Sequence, residues 1–165
     1  MKKRRRLVGL VLWVIFILLV AGVFYISFHN GEKSKLEGKQ LLATFSGITG
    51  SGSPKSQREI DNLIYILRQS GRVLVFFVIG IVGTATIYVT FERWGWVLKT
   101  VLAAVILWAI ACFTERMKIY IPTRHYSFEE MILSVAAVSA GLLTVCFVMI
   151  LIGIIRRLNR VKKYD

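Results

Sequence analysis

Polar and apolar positions in this chain fall into long blocks instead of alternating residue by residue. Leu7–Phe28, Val73–Phe91 and Met131–Ile155 are apolar runs without a single charge, and Val97–Phe113 is a fourth that carries Lys99 near its start. A helix that crosses a bilayer needs about 20 residues, with a range of roughly 17–25, because each residue rises ~1.5 Å through a hydrocarbon core of ~30 Å. All four runs meet that length. Lys99 is tolerated because its stem can lie along the helix while the ammonium reaches the interface. Trp94 and Trp96 precede that run, at the headgroup depth that indoles favour. The pattern predicts an all-α membrane protein, a bundle of four transmembrane helices forming one domain over residues 1–165.

The segments between the runs carry their own patterns. Residues 29–57 are rich in Gly, Ser, Lys and Thr, and Gly47–Pro54 reads as a turn region. Ser56-Gln57-Arg58-Glu59 fits a capping box, and Ile60, Leu63, Ile64 and Leu67 then recur at helical spacing. These features predict an amphipathic helix that lies in the outer interface and turns into the second span. Its polar stripe includes Arg68 and Arg72, four residues apart. Residues 114–130 form the second intervening loop, where Pro122 stops the helix from continuing. Ser127-Phe128-Glu129-Glu130 is a further capping box, which gives Ser127 and Glu130 a structural role at the start of span four.

Charge orients the bundle. Of 22 Lys+Arg and 9 Asp+Glu, twelve basic and two acidic residues belong to the amino terminus, the Glu92–Lys99 turn and the carboxyl tail. The loops 29–72 and 114–130 share ten basic and seven acidic residues. The Lys/Arg excess close to the spans places both termini in the cytoplasm and both longer loops outside a cell membrane. The first span, behind Lys2-Lys3-Arg4-Arg5-Arg6, is too long for a cleaved signal peptide and reads as an uncleaved anchor. A formal charge of +13 raises the question of nucleic acid, but basic residues that flank spans serve a membrane and its anionic lipid headgroups. With 56% of residues in the apolar set and two cysteines, the composition excludes a disordered chain, a disulfide-stapled secreted domain and a large soluble enzyme. Cys112 and Cys146 fall at different depths, so no disulfide between them is expected.

Candidate chemistry collects in the outer segments. Glu115 ends span three, where the negative end of a helix offers a carboxylate nothing, so it requires a cation. Arg124 is the foremost partner, with Arg72 and Arg68 as alternatives. Arg68 and Arg72 repel each other unless an anion or carboxylate lies between them, and guanidinium offers phosphate or carboxylate a bidentate fork. Arg68, Arg72, Glu115, Lys118 and Arg124 are therefore the candidate ligand-binding set, against headgroup anchoring as the plainer reading. Glu115 and His125 are the weak catalytic candidates. No metal-ligand spacing is present, and no cofactor is called for. The pairs Gly80/Thr84, Ala136/Ala140 and Ala137/Gly141 are spaced for close helix packing.

The order of basic start, anchor helix, outer loop and three further helices resembles the VanZ-like membrane proteins, a family named for teicoplanin resistance. The segments that carry the likeness are Phe28-His29-Asn30-Gly31-Glu32-Lys33-Ser34, Arg68 to Phe76, Thr114-Glu115-Arg116-Met117-Lys118 and Pro122-Thr123-Arg124. Arg68, Glu115, Pro122 and Arg124 agree with the family pattern. Arg72 stands where the family has His, Val75 where it has Glu, and Lys118 where it has Gln. Glu130 takes the place of a family Asp. The resemblance covers about residues 25–152 and implies a contribution to teicoplanin-type antibiotic resistance or cell-envelope homeostasis.

Together these features point to a polar site in the outer leaflet that engages an anionic or glycopeptide-type amphiphile. The rivals are a small membrane enzyme acting on a lipid-linked envelope substrate and a partner subunit of a larger membrane complex. A transporter is disfavoured because spans one, two and four hold no charge to mark a pathway.

Overall fold

The computed structural model describes residues 2–28, 57–120 and 127–161. Four helices account for nearly all of them: α1 (Lys2–Phe28), α2 (Gln57–Thr90), α3 (Trp96–Arg116) and α4 (Phe128–Val161). A single 3-10 turn, Met117–Tyr120, extends α3. Among the described residues there is no strand. The stretches Arg6–Tyr25, Asn62–Thr90, Trp96–Tyr120 and Phe128–Ile155 are long and apolar enough to cross a membrane. The Gly47–Pro54 turn, Ser56, Pro122, Arg124 and His125 lie outside the described residues.

Side-chain contacts fix the helix directions. The Trp13 indole donates to Thr90 Oγ1 at 3.0 Å, joining the first half of α1 to the end of α2. Phe24 meets Phe113 edge-on with ring centroids 5.8 Å apart, so α1 and α3 finish at the same end. Arg72 of α2 reaches Glu130 at the start of α4, so these two helices run parallel to each other and antiparallel to α3. The bundle thus has one end with the 91–95 turn and the start of α1. Its other end holds the 3-10 turn and the first residues of α4.

One expectation is corrected here. The amphipathic segment and the second span form one helix, α2, without the turn expected between them. At ~1.5 Å per residue its 34 residues reach about 50 Å, well beyond a ~30 Å core. Nothing between Leu67 and Val73 forces a break. Gly71 costs a helix about 1 kcal/mol, but losing backbone hydrogen bonds next to lipid costs more. Ile64 of the predicted apolar face is buried, whereas Leu63 is exposed.

The core follows four-residue stripes. Ala103, Leu107 and Ala111 face inward on α3, and Val138, Leu142 and Cys146 face inward on α4, against Phe76, Ile79 and Ile87 of α2 and Phe16 of α1. Cys146 is buried and Cys112 is partly buried, and both are free thiols. Outside this seam large apolar side chains are exposed on every helix, Leu10, Leu18, Leu74, Val105 and Phe147 among them. Water would penalise such a surface, and lipid does not.

Packing is tightest where α2 crosses α4. A Cβ added at Gly80 would collide with the Val138 carbonyl oxygen and stand 3.1 Å from Gly141 Cα. One added at Gly141 would strike the Phe77 carbonyl and approach Ile81 N to 2.9 Å. Both obstacles are backbone, which cannot turn aside as a side chain can. Ala137 also lies in this contact, whereas Ala136 and Ala140 are exposed.

Gly80→Ala and Gly141→Ala should each destabilise the folded protein by about 1–3 kcal/mol despite the better helix propensity of Ala. Gly71→Ala, with nothing within 4 Å of its added Cβ, should be neutral or stabilising by up to about 1 kcal/mol. Thermal unfolding in detergent, followed by circular dichroism, compares the three. Equal behaviour of Gly71 and Gly80 would contradict the close crossing.

Candidate functional site

The inward stripes of three helices each end on a charge at the same end of the bundle. On α3 the series Ala103, Leu107, Ala111 continues four residues on to Glu115. On α4 the series Cys146, Leu142, Val138, Ser134 leads back to Glu130, and on α2 Phe76 leads back to Arg72. Helical spacing therefore aims Arg72, Glu115 and Glu130 at one another.

Lys118 completes the cluster. The 3-10 turn begins at Met117, and its tighter winding stacks positions three apart, which brings the Lys118 ammonium over Glu115. Nζ lies 2.8 Å from Glu115 Oε1, 2.6 Å from Glu115 Oε2 and 2.9 Å from Glu130 Oε2. Three donors thus meet three acceptors. Arg72 Nη1 is 2.5 Å from Glu130 Oε2 and 3.4 Å from Glu115 Oε1. The cluster contains two carboxylates and two cations and is balanced in charge.

Exposure divides the four residues. The side chains of Glu115 and Lys118 are 1% and 4% exposed, those of Arg72 and Glu130 18% and 23%. The inner pair is sealed, and the outer pair forms the face that a visiting molecule can reach. Hydroxyls beside the cluster are satisfied locally: Thr114 donates to the Ile110 carbonyl at 2.7 Å and Ser134 to the Glu130 carbonyl at 2.9 Å. Arg72 is the exception. Its Nη1 is buried and, although paired by distance, has no aligned hydrogen bond.

The placements refine the sequence reading. Glu115 is held by Lys118 and by Arg72, one of the alternatives the sequence offered, while Arg124 lies outside the described residues. Both of its oxygens are engaged, which leaves it poorly placed as a general acid or base. Lys118 is sealed against two carboxylates and offers no charge to a ligand. The Glu130 backbone N–H approaches Ser127 Oγ at 3.5 Å, but the Glu130 carboxylate turns to Arg72 and Lys118 instead of closing a reciprocal capping box. The strong attraction of two cations outweighs one backbone N–H. Arg68 is exposed one turn farther out on α2, while Arg72 is half-buried, so the two arginines sit in different settings.

The signal that could have exposed the full cluster is the spacing itself. Glu115 and Glu130 continue buried four-residue stripes, and a charge on such a stripe points inward and needs a partner.

Beside the cluster runs an apolar groove of about 520 Å³ between α2 and α4. Val73, Leu74, Phe77 and Ala140 form its walls, and Tyr65 and Gln69 form its polar edge. Tyr65, Gln69 and Arg72 follow at i, i+4 and i+7, so that edge and the guanidinium share one stripe of α2. Among the described residues no three of His, Cys, Asp and Glu gather as a metal site. Compared with known proteins, the chain matches no family model, no curated protein and no solved structure.

Because the inner pair is sealed, removing one member strands the other. Glu115→Gln and Lys118→Gln should each cost about 3–5 kcal/mol, and the double substitution should cost clearly less than their sum. Chemical or thermal unfolding of the three variants measures the coupling. Additive losses would mean that the two charges do not interact.

Proposed function

We propose that this chain is a multi-pass cell-membrane protein that engages an anionic amphiphile at the bundle end holding Arg72. The apolar part of that molecule lies in the α2–α4 groove, and its anionic group meets the guanidinium. One observation carries this reading: Arg72 is the partly exposed cation of the cluster and stands beside the apolar groove. A guanidinium has five N–H donors in a planar fork, and phosphate or carboxylate is the acceptor that uses two at once. Glu130, at 2.5 Å, holds the position until such a group competes for it. Arg68, one turn outward on α2, extends the positive rim.

The Lys/Arg distribution supports an orientation with both termini cytoplasmic, which puts this end at the outer leaflet. The resemblance to VanZ-like proteins extends the proposal to a glycopeptide-type amphiphile and a contribution to teicoplanin-type resistance or envelope homeostasis. Charge balance within the cluster favours a second reading, in which it is only a clasp and the protein serves as a partner subunit.

Binding of an alkyl phosphate and of an uncharged alkyl glycoside to the purified protein separates these readings. The wild type should prefer the phosphate. Arg72→Gln should weaken that binding by about 10–100-fold, since a charge-assisted hydrogen bond contributes about 1.5–3 kcal/mol, and Arg72→Lys should fall between. Unchanged phosphate binding in folded Arg72→Gln would leave the clasp as the reading. Strains lacking the protein should differ in susceptibility to teicoplanin-like molecules specifically, whereas a partner subunit gives a general envelope defect.

A further inference from the structure

The opposite end of the bundle contains a second, larger crevice that the proposed site does not use. It has a volume of about 1010 Å³ and lies between the start of α1 and the turn that follows α2. Arg6 and Arg93 stand on its rim, Trp13 and Trp94 line its sides, and Gly9 and Val89 form its floor. We infer that this crevice binds one anionic phospholipid, its phosphate between Arg6 and Arg93 and one acyl chain running along Gly9 and Val89.

Charge complementarity selects the headgroup. Neither Arg6 nor Arg93 forms an ion pair among the described residues, in contrast to Arg72, which already faces two carboxylates. Glu92 shares the rim, and Lys99 lies beside it with Nζ donating to the Glu92 carbonyl at 3.2 Å. Among the described side chains near the mouth, three cations stand against one carboxylate. The fork of arginine suits the phosphate diester of a lipid.

The walls select a lipid over a free anion. The Trp13 indole is tied to Thr90 Oγ1 at 3.0 Å, which fixes it as one wall, and Trp94 rests on Phe91 with ring centroids 4.5 Å apart. Indoles prefer the boundary between headgroups and chains. The floor is open because residue 9 has no side chain: a Cβ there would already be 3.7 Å from Val89. A larger residue at position 9 therefore fills the space that an acyl chain would take.

Native mass spectrometry of the full chain, released from mixed phosphatidylglycerol and phosphatidylcholine, tests the inference. Wild type should retain phosphatidylglycerol selectively, and Arg6→Gln with Arg93→Gln should reduce that selectivity about 25-fold, since each basic residue near a membrane surface contributes on the order of one factor of five. Gly9→Phe, which leaves every charge in place, should also abolish selective retention. Leu10→Trp, filling the crevice from its rim, serves in its place if Gly9→Phe does not fold. Selectivity that survives the filled crevice would mean diffuse attraction to a basic surface and would overturn the proposal. So would an unaffected double arginine variant, or displacement of the lipid by millimolar inorganic phosphate.

Discussion

A carboxylate sealed at the end of a membrane helix imposes the constraint on which this end of the bundle depends. Glu115 is almost wholly enclosed by protein, at the negative end of α3. Leaving it unpaired would cost several kcal/mol. Its compensation comes from two directions: Lys118 from the 3-10 turn and Arg72 from α2. Lys118 then spans to Glu130 and draws in α4. One acidic residue thereby obliges three helices to converge.

The convergence has to agree with backbone packing farther along. Two turns below Arg72, α2 touches α4 at Gly80 and Gly141, where there is no room for a Cβ on either side. That contact brings α2 and α4 together closely enough for Arg72 to reach Glu130. It also sets the groove, which opens where the two helices separate around Phe77 and Ala140. Helix α1 is held more lightly. Apart from Phe16 and Val23 its large apolar side chains are mostly exposed, and its firm polar link to α2 is Trp13 to Thr90. The crevice at that end follows from this looser packing.

The four spans were legible because an apolar run of membrane length is a strong signal. The continuity of α2 was not. Arg68 and Arg72 looked like the polar limit of a span, because hydropathy along a sequence registers charge and not the side of the helix that bears it. Lys118 was legible as a member of the candidate set but not as the partner of Glu115, because only the 3-10 turn stacks it on that carboxylate. Glu115 itself could be singled out, since its position at a helix end is unfavourable wherever the rest of the chain goes. Of its partners, Arg72 was among the alternatives that the sequence offered and Lys118 was not, while Arg124 lies outside the described residues. Among the small-residue pairs, Gly80 and Gly141 were legible as packing positions, while Ala136 and Ala140 share the spacing but face outward.

Buried ion clusters rarely add net stability over well-packed apolar side chains of similar size, so stability alone does not account for this one. The most direct measurement replaces the whole cluster at once, as Arg72→Leu, Glu115→Met, Lys118→Met and Glu130→Leu, and follows both melting temperature and alkyl phosphate binding. A folded protein that melts at or above the wild-type temperature and no longer binds the phosphate is the result predicted here. A folded fourfold variant that binds the phosphate as tightly as the wild type would contradict the account.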